Sequence, residues 1–190
     1  EVIVDSSKSP SYGQLLAMLP SVNLHVVHLV RDPRGTAFSW RRNVVRTDSA
    51  QEKPMQRMSV TKSSALWSIW NLTAERVWNR SAVPYLRIRY EDLIADPSGC
   101  LERSARLVGA SPGSMGFINE GSVRLDSHHT ISGNPMRLTT GEIELKPDME
   151  WVTAMPLAQR LVVTALTAHS LGRYGYPLRR PQQLSFSRPS

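Results

Sequence analysis

The stretch LHVVHLVRDPRGTAFS, at residues 24–39, restricts the possible folds of this chain more than any other segment. It begins with a short apolar run rich in β-branched residues, the pattern of a strand buried in a parallel sheet. The run ends at Arg31, after which Asp32 and Pro33 are suited to cap and begin a helix. A strand that leads directly into a helix N-terminus, with arginines at the junction, is a typical place for a phosphate or sulfate group. The stretch therefore predicts an α/β fold with an anion site at this junction.

Two side chains of this stretch are candidates to hold the anion. Arg31 lies at the predicted strand end, and Ser39 follows about two helical turns later, where its hydroxyl can face the same group. The alternative for this pair is a surface salt bridge and an ordinary helix serine. On these two residues alone, both interpretations stay open.

In its wider setting, RDPRGTAFS, this pair resembles the element with which sulfotransferases that use 3′-phosphoadenosine 5′-phosphosulfate (PAPS) bind the 3′-phosphate of that donor. Three other stretches resemble motifs of the same family, and they occur in the family's order. They are DSSK at 5–8, RYEDLIADP at 89–97 and HHTISGNPMR at 128–137. The resemblance extends over most of residues 1–180.

The resemblance implies a fold and an activity. The fold would be a P-loop-NTPase-like, three-layer α/β fold with a central parallel sheet and helices on both faces. The activity would be transfer of a sulfuryl group from PAPS to a hydroxyl or amine acceptor, which could be a small molecule or a glycan. It calls for no metal ion.

Donor-binding residues follow from the same resemblance. Tyr90, the tyrosine of the YEDL turn, would contact the adenine side of the donor, and its phenol has both a flat face and a hydrogen-bonding tip. Gly133, Asn134 and Arg137 would belong to a loop that closes over the nucleotide. Glycine allows a close backbone approach to phosphate, and Arg137 would supply a second guanidinium. Ser7 would lie in the turn beside the reacting sulfate.

The local candidates for catalysis lie in the DSSK turn, and a carboxylate in the missing 5′-phosphosulfate segment is the alternative base. Asp5 and Lys8 would stand beside the reacting group, where one of them could act as general base or stabilise charge. The histidine base of cytosolic sulfotransferases has no convincing counterpart in this chain. The alternative for Lys8 is a solvated loop lysine.

One expected part of a sulfotransferase is not found in the sequence. No Gly/Ser/Thr-rich loop for the 5′-phosphosulfate, and no GxxxxGK[ST] pattern, occurs in the 190 residues. The chain would therefore supply the 3′-phosphate and adenine side of the donor site and could be inactive alone. Two other functions stay open: a non-catalytic module that binds anions or nucleic acid, and a relative of P-loop-type kinases.

Composition favours an anionic ligand. The formal net charge is +7, and most of the 23 basic residues are arginines, which bind phosphate and sulfate bidentately. The basic residues are scattered and none of the short nucleic-acid-binding motifs is present, so we expect no nucleic acid partner. The adjacent His128 and His129 lack further residues at metal-ligand spacing, so we expect no metal site.

The sequence also bears on location and assembly. Cys100 is the only cysteine, which excludes an internal disulfide and favours a reducing compartment, so we expect a cytoplasmic protein. No apolar run approaches the roughly 20 residues that a membrane span needs. A homo-oligomer is possible.

The pattern predicts one domain over residues 1–178, with a disordered tail at 179–190 that is rich in Pro, Ser and Gln. Sheet strands are expected near 2–5, 25–30 and 85–90. Because the chain opens in strand character without a methionine, the domain is expected to be incomplete at its N-terminus.

Helices are predicted at 12–18, after Asp32, at 60–79, after Asp96 and at 156–171. Two inward faces are expected from apolar periodicity. That of the long helix comprises Trp67, Trp70, Ala74 and Trp78, with an adjacent stripe of Leu66, Ile69, Thr73 and Val77. That of the final helix comprises Leu157, Leu161, Val162, Leu166 and His169. No regular pattern is evident between Ser111 and Thr140.

Overall fold

The computed structural model describes residues 2–6, 9–41, 45–46, 53–54, 57–126 and 140–179. These residues form a mixed α/β structure. Its helices are α1 Pro10–Ala17, α2 Pro33–Ser39, α3 Val60–Trp78, α4 Tyr90–Ala95, α5 Pro97–Leu107, α6 Glu150–Ala154 and α7 Leu157–Leu171. Its strands are β1 Val26–Val30, β2 Val45–Arg46, β3 Lys53–Pro54, β4 Tyr85–Arg89, β5 Ile118–Asn119, β6 Ser122–Leu125 and β7 Gly141–Glu144.

A parallel pair of strands, β1 and β4, lies beside the predicted anion site. The register places Val26 opposite Tyr85 and Val30 opposite Arg89. The chain between the two strands runs through α2 and α3, which is the long crossover that a parallel pair requires. The strands predicted near 25–30 and 85–90 are confirmed. The fuller three-layer, P-loop-like arrangement stays a prediction.

The strand predicted at residues 2–5 is wrong. Residues 2–6 form no regular element, and Ile3 and Val4 are 83% and 90% exposed. A strand is stable only when a neighbouring backbone pairs with it, and no described strand pairs with this segment. Three apolar residues in a row therefore do not decide the conformation here.

The two faces of the β1–β4 sheet differ in how far they are covered. One face lies against α3, where the His28 ring is bonded to Asn71 and Arg87 pairs with Glu75. On the other face, Val27 and Leu29 of β1 are about half exposed.

The predicted helix at 60–79 is present as α3, but of its two predicted apolar stripes only three residues of the first are buried. Trp67, Ala74 and Trp78 are buried, whereas Trp70 is about half exposed and Ile69 more so. Small and paired polar residues take the remaining inward positions, namely Ser63, Ser64, Ser68 and Glu75. Serines allow α7 to pack closely on α3, which periodicity of large apolar residues does not anticipate.

The predicted inner face of the final helix is wrong. Leu157, Leu161, Val162 and Leu166 are exposed, and the buried residues of α7 are instead Val163, Thr167, Ser170 and Leu171. Val163 packs with Ala37 and Trp151, and Leu171 packs with Val30 and Trp67. The helix thus turns a mostly small, partly polar face to the core, with Leu171 at its end, and turns Leu157, Leu161 and Leu166 outward.

A three-stranded antiparallel sheet, β5–β6–β7, lies in the region where no element was predicted. Asn119 pairs with Ser122, so Glu120 and Gly121 form a two-residue hairpin turn. Gly121 has φ +74°, a conformation that favours glycine. In the sequence, a turn that contains Gly121 between two short apolar segments could have indicated this hairpin.

The C-terminal region is anchored to the core. Tyr174 and Tyr176 are buried beside Val30 and Trp67. The predicted tail starts at Arg179, whose carbonyl accepts a hydrogen bond from Arg34 Nη1 at 3.3 Å. Residues 180–190 lie outside the described residues, so the disordered tail stays a prediction.

In the described part of the chain, the structure has no helix with the length and apolar character needed to cross a bilayer.

Candidate functional site

Arg31 and Tyr90 meet at the carboxyl ends of the two parallel strands. Each residue directly follows its strand, and the register that pairs Val30 with Arg89 places them side by side. The guanidinium carbon of Arg31 lies 5.0 Å from the centre of the Tyr90 ring. This separation is that of a cation–π contact, so the two predicted donor-site residues form one local site.

Hydrogen bonds fix both the backbone and the guanidinium of Arg31. Its carbonyl accepts a hydrogen bond from the Trp67 indole at 2.9 Å, and its Nη2 donates to Asp148 Oδ2 at 2.7 Å. About a quarter of each partner's side chain is exposed in this ion pair. The guanidinium therefore lies at the surface with an anion, the carboxylate of Asp148, already bound to it.

Tyr90 is partly buried beside these charges. Burial raises the pKa of the Tyr90 hydroxyl above its ordinary value, which the nearby Arg31 opposes and the carboxylates of Asp148 and Glu91 reinforce. The phenol is thus a neutral hydrogen-bond donor at physiological pH.

The start of α2 differs from the expected open anion site. The backbone N–H of Arg34 donates to Asp32 Oδ1 at 2.8 Å, so the chain's own carboxylate caps this helix. The Arg34 side chain then binds the same carboxylate bidentately and stacks over the Trp151 ring at 4.8 Å. Arg34 is buried, and each of its three guanidinium nitrogens donates to Asp32 or Arg179, so of the two arginines at the junction only Arg31 presents its guanidinium at the surface.

Glu91 and Tyr176 fix the junction between β1 and α2 by hydrogen bonds to its backbone. Glu91 Oε1 accepts a hydrogen bond from the backbone N–H of Asp32 at 3.1 Å. The Tyr176 hydroxyl lies 2.8 Å from Glu91 Oε2 and 3.1 Å from the carbonyl oxygen of Val30 and can donate to either. Glu91, the first carboxylate of the YEDL turn, therefore positions the backbone that presents Arg31.

Gly35 allows the segment that carries Asp148 to approach the site. A β-carbon at position 35 would lie 3.1 Å from Trp151 Cδ1 and 3.4 Å from Arg31 Nε. Trp151 packs in the core with Ala37 and Val163, three residues after Asp148. The tryptophan thus anchors the Asp148 segment beside α2.

The structure joins only some of the predicted site residues. Ser39 is the last residue of α2 and is partly buried, and its hydroxyl makes no hydrogen bond to another described residue. Asp5 is exposed in the segment 2–6. The other predicted residues lie outside the described residues and keep their predicted roles as predictions. These are Ser7, Lys8, Gly133, Asn134 and Arg137.

Sequence reasoning missed Asp148, Glu91, Tyr176 and Trp151. Glu91 lies within the YEDL turn, and its neighbour Tyr90 could have drawn attention to it. Asp148 carried no local signal, because it is 117 residues from Arg31 and meets it only through the tertiary fold.

In chemical terms, the arrangement suits a phosphate bound beside a ring. One exposed guanidinium offers several N–H donors to an anion, and the adjacent phenol offers a flat face and a hydroxyl. Among residues 2–6, 9–41, 45–46, 53–54, 57–126 and 140–179, no three His, Cys, Asp or Glu side chains are grouped so as to hold a metal ion.

Comparison with known proteins gives one positive result. Residues 3–110, more than half of the chain, match the model of the sulfotransferase family. The match includes Arg31, Ser39 and Tyr90. No curated protein and no solved structure gives a significant match.

Proposed function

Because this chain belongs to the sulfotransferase family, we propose that it takes part in sulfuryl transfer from PAPS, with Arg31 and Tyr90 on the 3′-phosphate and adenine side of the donor site. The observation that carries the proposal is the 5.0 Å contact between the Arg31 guanidinium and the Tyr90 ring. Two residues that stand 59 positions apart in the sequence, each in its own family-like motif, meet at one sheet edge. The carboxyl edge of parallel strands is where α/β folds bind ligands.

The residues present fit the donor in their chemistry. Arg31 would bind the 3′-phosphate with charge-assisted hydrogen bonds, and Tyr90 would contact the adenine. Ser39 would add a hydroxyl to the phosphate, and Gly133, Asn134 and Arg137 would close over the nucleotide. When bound, PAPS supplies the activated sulfuryl group.

The proposed catalytic residues are Asp5 and Lys8, with Ser7 in the same turn. A carboxylate at Asp5 could accept the proton of a hydroxyl or amine acceptor, and an ammonium at Lys8 could stabilise the charge that develops on the sulfuryl oxygens. Whether this chain transfers sulfate alone is tested by incubating it with PAPS and simple phenol, amine and sugar acceptors.

The donor-site proposal is tested with two nucleotides that differ only in the 3′-phosphate. We expect adenosine 3′,5′-bisphosphate to raise the melting temperature more than AMP does, since only the former offers Arg31 a 3′-phosphate. Replacement of Arg31 by Ala should remove most of this difference, equivalent to about 1.5–3 kcal/mol of binding, and Ser39→Ala should remove about 1 kcal/mol.

A matched control removes an arginine elsewhere. Arg106 lies on the exposed side of α5, where it pairs with Glu102 at 3.6 Å, and Arg106→Ala should leave both nucleotide shifts unchanged. Equal shifts for the two nucleotides in the wild-type protein would falsify the donor-site proposal. An Arg31→Ala variant that still distinguishes them would do the same.

The remaining proposals concern partners and location. We propose a small-molecule or glycan acceptor and a cytoplasmic location. The outward leucines of α7, Leu157, Leu161 and Leu166, support self-association through this helix. Sedimentation velocity should show a concentration-dependent oligomer that Leu161→Glu abolishes, and a wild-type monomer at all concentrations would exclude it.

A further inference from the structure

The strongest unassigned feature is the anion already bound to Arg31. Asp148 Oδ2 lies 2.7 Å from Arg31 Nη2, at the place where the donor's 3′-phosphate would bind. An aspartate carboxylate and a phosphate offer the guanidinium the same kind of acceptor oxygen. They are therefore alternative partners for the same donor atom.

The geometry of the segment permits such an exchange. Both side chains of the pair are about one quarter exposed, so neither charge would be stranded in the core after they separate. Asp148 lies between β7 and α6, outside any helix or strand. Trp151 keeps the following helix packed on α2, so an Asp148 side chain that turned away would stay near the site.

Arg31 itself would stay in place during the exchange. Its carbonyl is bound to the Trp67 indole and its guanidinium lies over the Tyr90 ring, and neither contact depends on Asp148. The site therefore presents a positioned cation with a replaceable partner.

We infer that Asp148 is a specificity-determining residue of the donor site, an internal anion that a 3′-phosphate must displace from Arg31. This inference rests on the proposed function. A nucleotide without the 3′-phosphate leaves the Arg31–Asp148 pair intact and gains nothing from Arg31. A nucleotide with it gains only the difference between its contact with Arg31 and the contact it replaces.

The exchange has a consequence for turnover. After sulfuryl transfer, the spent nucleotide still carries the 3′-phosphate and must leave. Because Asp148 can return to Arg31, it lowers the affinity for this product and favours its release.

The test uses Asp148→Asn, which keeps the side-chain shape and removes the charge. Binding is measured by calorimetry with inorganic phosphate, adenosine 3′,5′-bisphosphate and AMP. We expect the affinity for phosphate and for the bisphosphate to rise about five- to tenfold, the size of a charge-assisted contact that solvent partly screens. The affinity for AMP should not change.

Two matched variants separate a local exchange from a change in net charge. Glu144→Gln removes the same charge four residues earlier in the sequence, but Glu144 is exposed and pairs with Lys146. The affinity of this variant for phosphate and for the bisphosphate should therefore stay within twofold of wild type. Adding Arg31→Ala to Asp148→Asn should abolish the gain. Asp148→Ser gives a second neutral variant in case the asparagine variant does not fold.

The outcomes distinguish this inference from the proposed function. Unchanged or weaker phosphate binding in both neutral Asp148 variants overturns the inference, even if the bisphosphate still binds better than AMP. Stronger phosphate binding together with equal binding of the bisphosphate and AMP supports the exchange at Arg31 and overturns the donor assignment.

Discussion

Arg34 and Asp32 form a buried bidentate ion pair at the start of α2, with Nε 2.9 Å from Oδ1 and Nη2 2.6 Å from Oδ2. The same Asp32 oxygen that accepts from Nε also accepts the backbone N–H of Arg34. A buried guanidinium whose three nitrogens all donate to protein oxygens is held away from a ligand at the surface. The two arginines of the RDPRG segment therefore have different tasks, with Arg34 maintaining the turn and Arg31 facing the site.

Replacement of Arg34 by Ala should destabilise the protein strongly. The substitution leaves the Asp32 carboxylate buried without its cation and removes the stacking on Trp151, at a cost of about 3–5 kcal/mol. Urea unfolding measures the change. Arg106→Ala, at an exposed ion pair, should cost less than about 0.5 kcal/mol. If Arg34→Ala lost as little unfolding free energy as Arg106→Ala, the Arg34–Asp32 ion pair would not stabilise the fold.

Tyr176→Phe should destabilise more than Tyr174→Phe. The buried Tyr176 hydroxyl donates to Glu91 Oε2 or to the Val30 carbonyl, so its loss should cost about 1–3 kcal/mol. The Tyr174 hydroxyl donates to Glu75, but Arg87 and Arg173 also bind that carboxylate, so its loss should cost about 1 kcal/mol or less. Equal unfolding midpoints for the two variants would show that Tyr176 does not brace the junction.

His28 should make the protein less stable in mild acid. Asn71 Nδ2 donates to a carbonyl, so Asn71 Oδ1 accepts from His28 Nε2 at 2.8 Å. His28 Nδ1 then accepts from the Tyr85 hydroxyl at 2.7 Å, and the ring is neutral. Burial raises the pKa of Tyr85 to about 12, so it stays a donor.

Burial also lowers the pKa of His28 below its ordinary value of 6.5 in the folded protein. The unfolded chain then binds the proton more readily, so stability falls as the pH drops below about 6.5 and levels off below the folded pKa. Between pH 7.5 and 5.5 the wild type should lose more stability than His28→Gln does, by at most about 1.4 kcal/mol, the limit for one group with an unfolded pKa of 6.5. His25→Gln, outside this network, controls for the substitution, and identical pH profiles for wild type and His28→Gln would contradict the assignment.

Gly35→Ala should disturb the site although the backbone there is helical. The new methyl group would press on Trp151 and Arg31, and overpacking of this kind costs about 1–3 kcal/mol, against a gain of about 1 kcal/mol in helix propensity. We expect a net loss of stability and altered tryptophan fluorescence. Gly172→Ala, with no atom within 4 Å of the new carbon, should be neutral or stabilising. A Gly35→Ala variant with unchanged fluorescence and stability would rule out this close approach.

Local patterns in the sequence determined several elements of this protein. Strand β1 followed from an apolar run that ends at Arg31, and the start of α2 followed from Asp32 and Pro33. Helix α5 followed from Asp96, whose carboxylate accepts from the backbone N–H of Gly99. These features depend on neighbouring residues, which is why they could be predicted. The family-like motifs also identified Arg31 and Tyr90 as members of one site.

Only the tertiary structure decided which faces are buried and which charges pair. Leu157, Leu161 and Leu166 of α7 point outward because its smaller residues pack against α2 and α3. Glu75 is buried because cations from β4 and the C-terminal segment meet it there. Asp148 reaches Arg31 across 117 residues, a contact that no local pattern records. Residues close to one another in the sequence determine where helices and strands begin and end. The partners of buried groups lie far away in the sequence and meet them only in the folded protein.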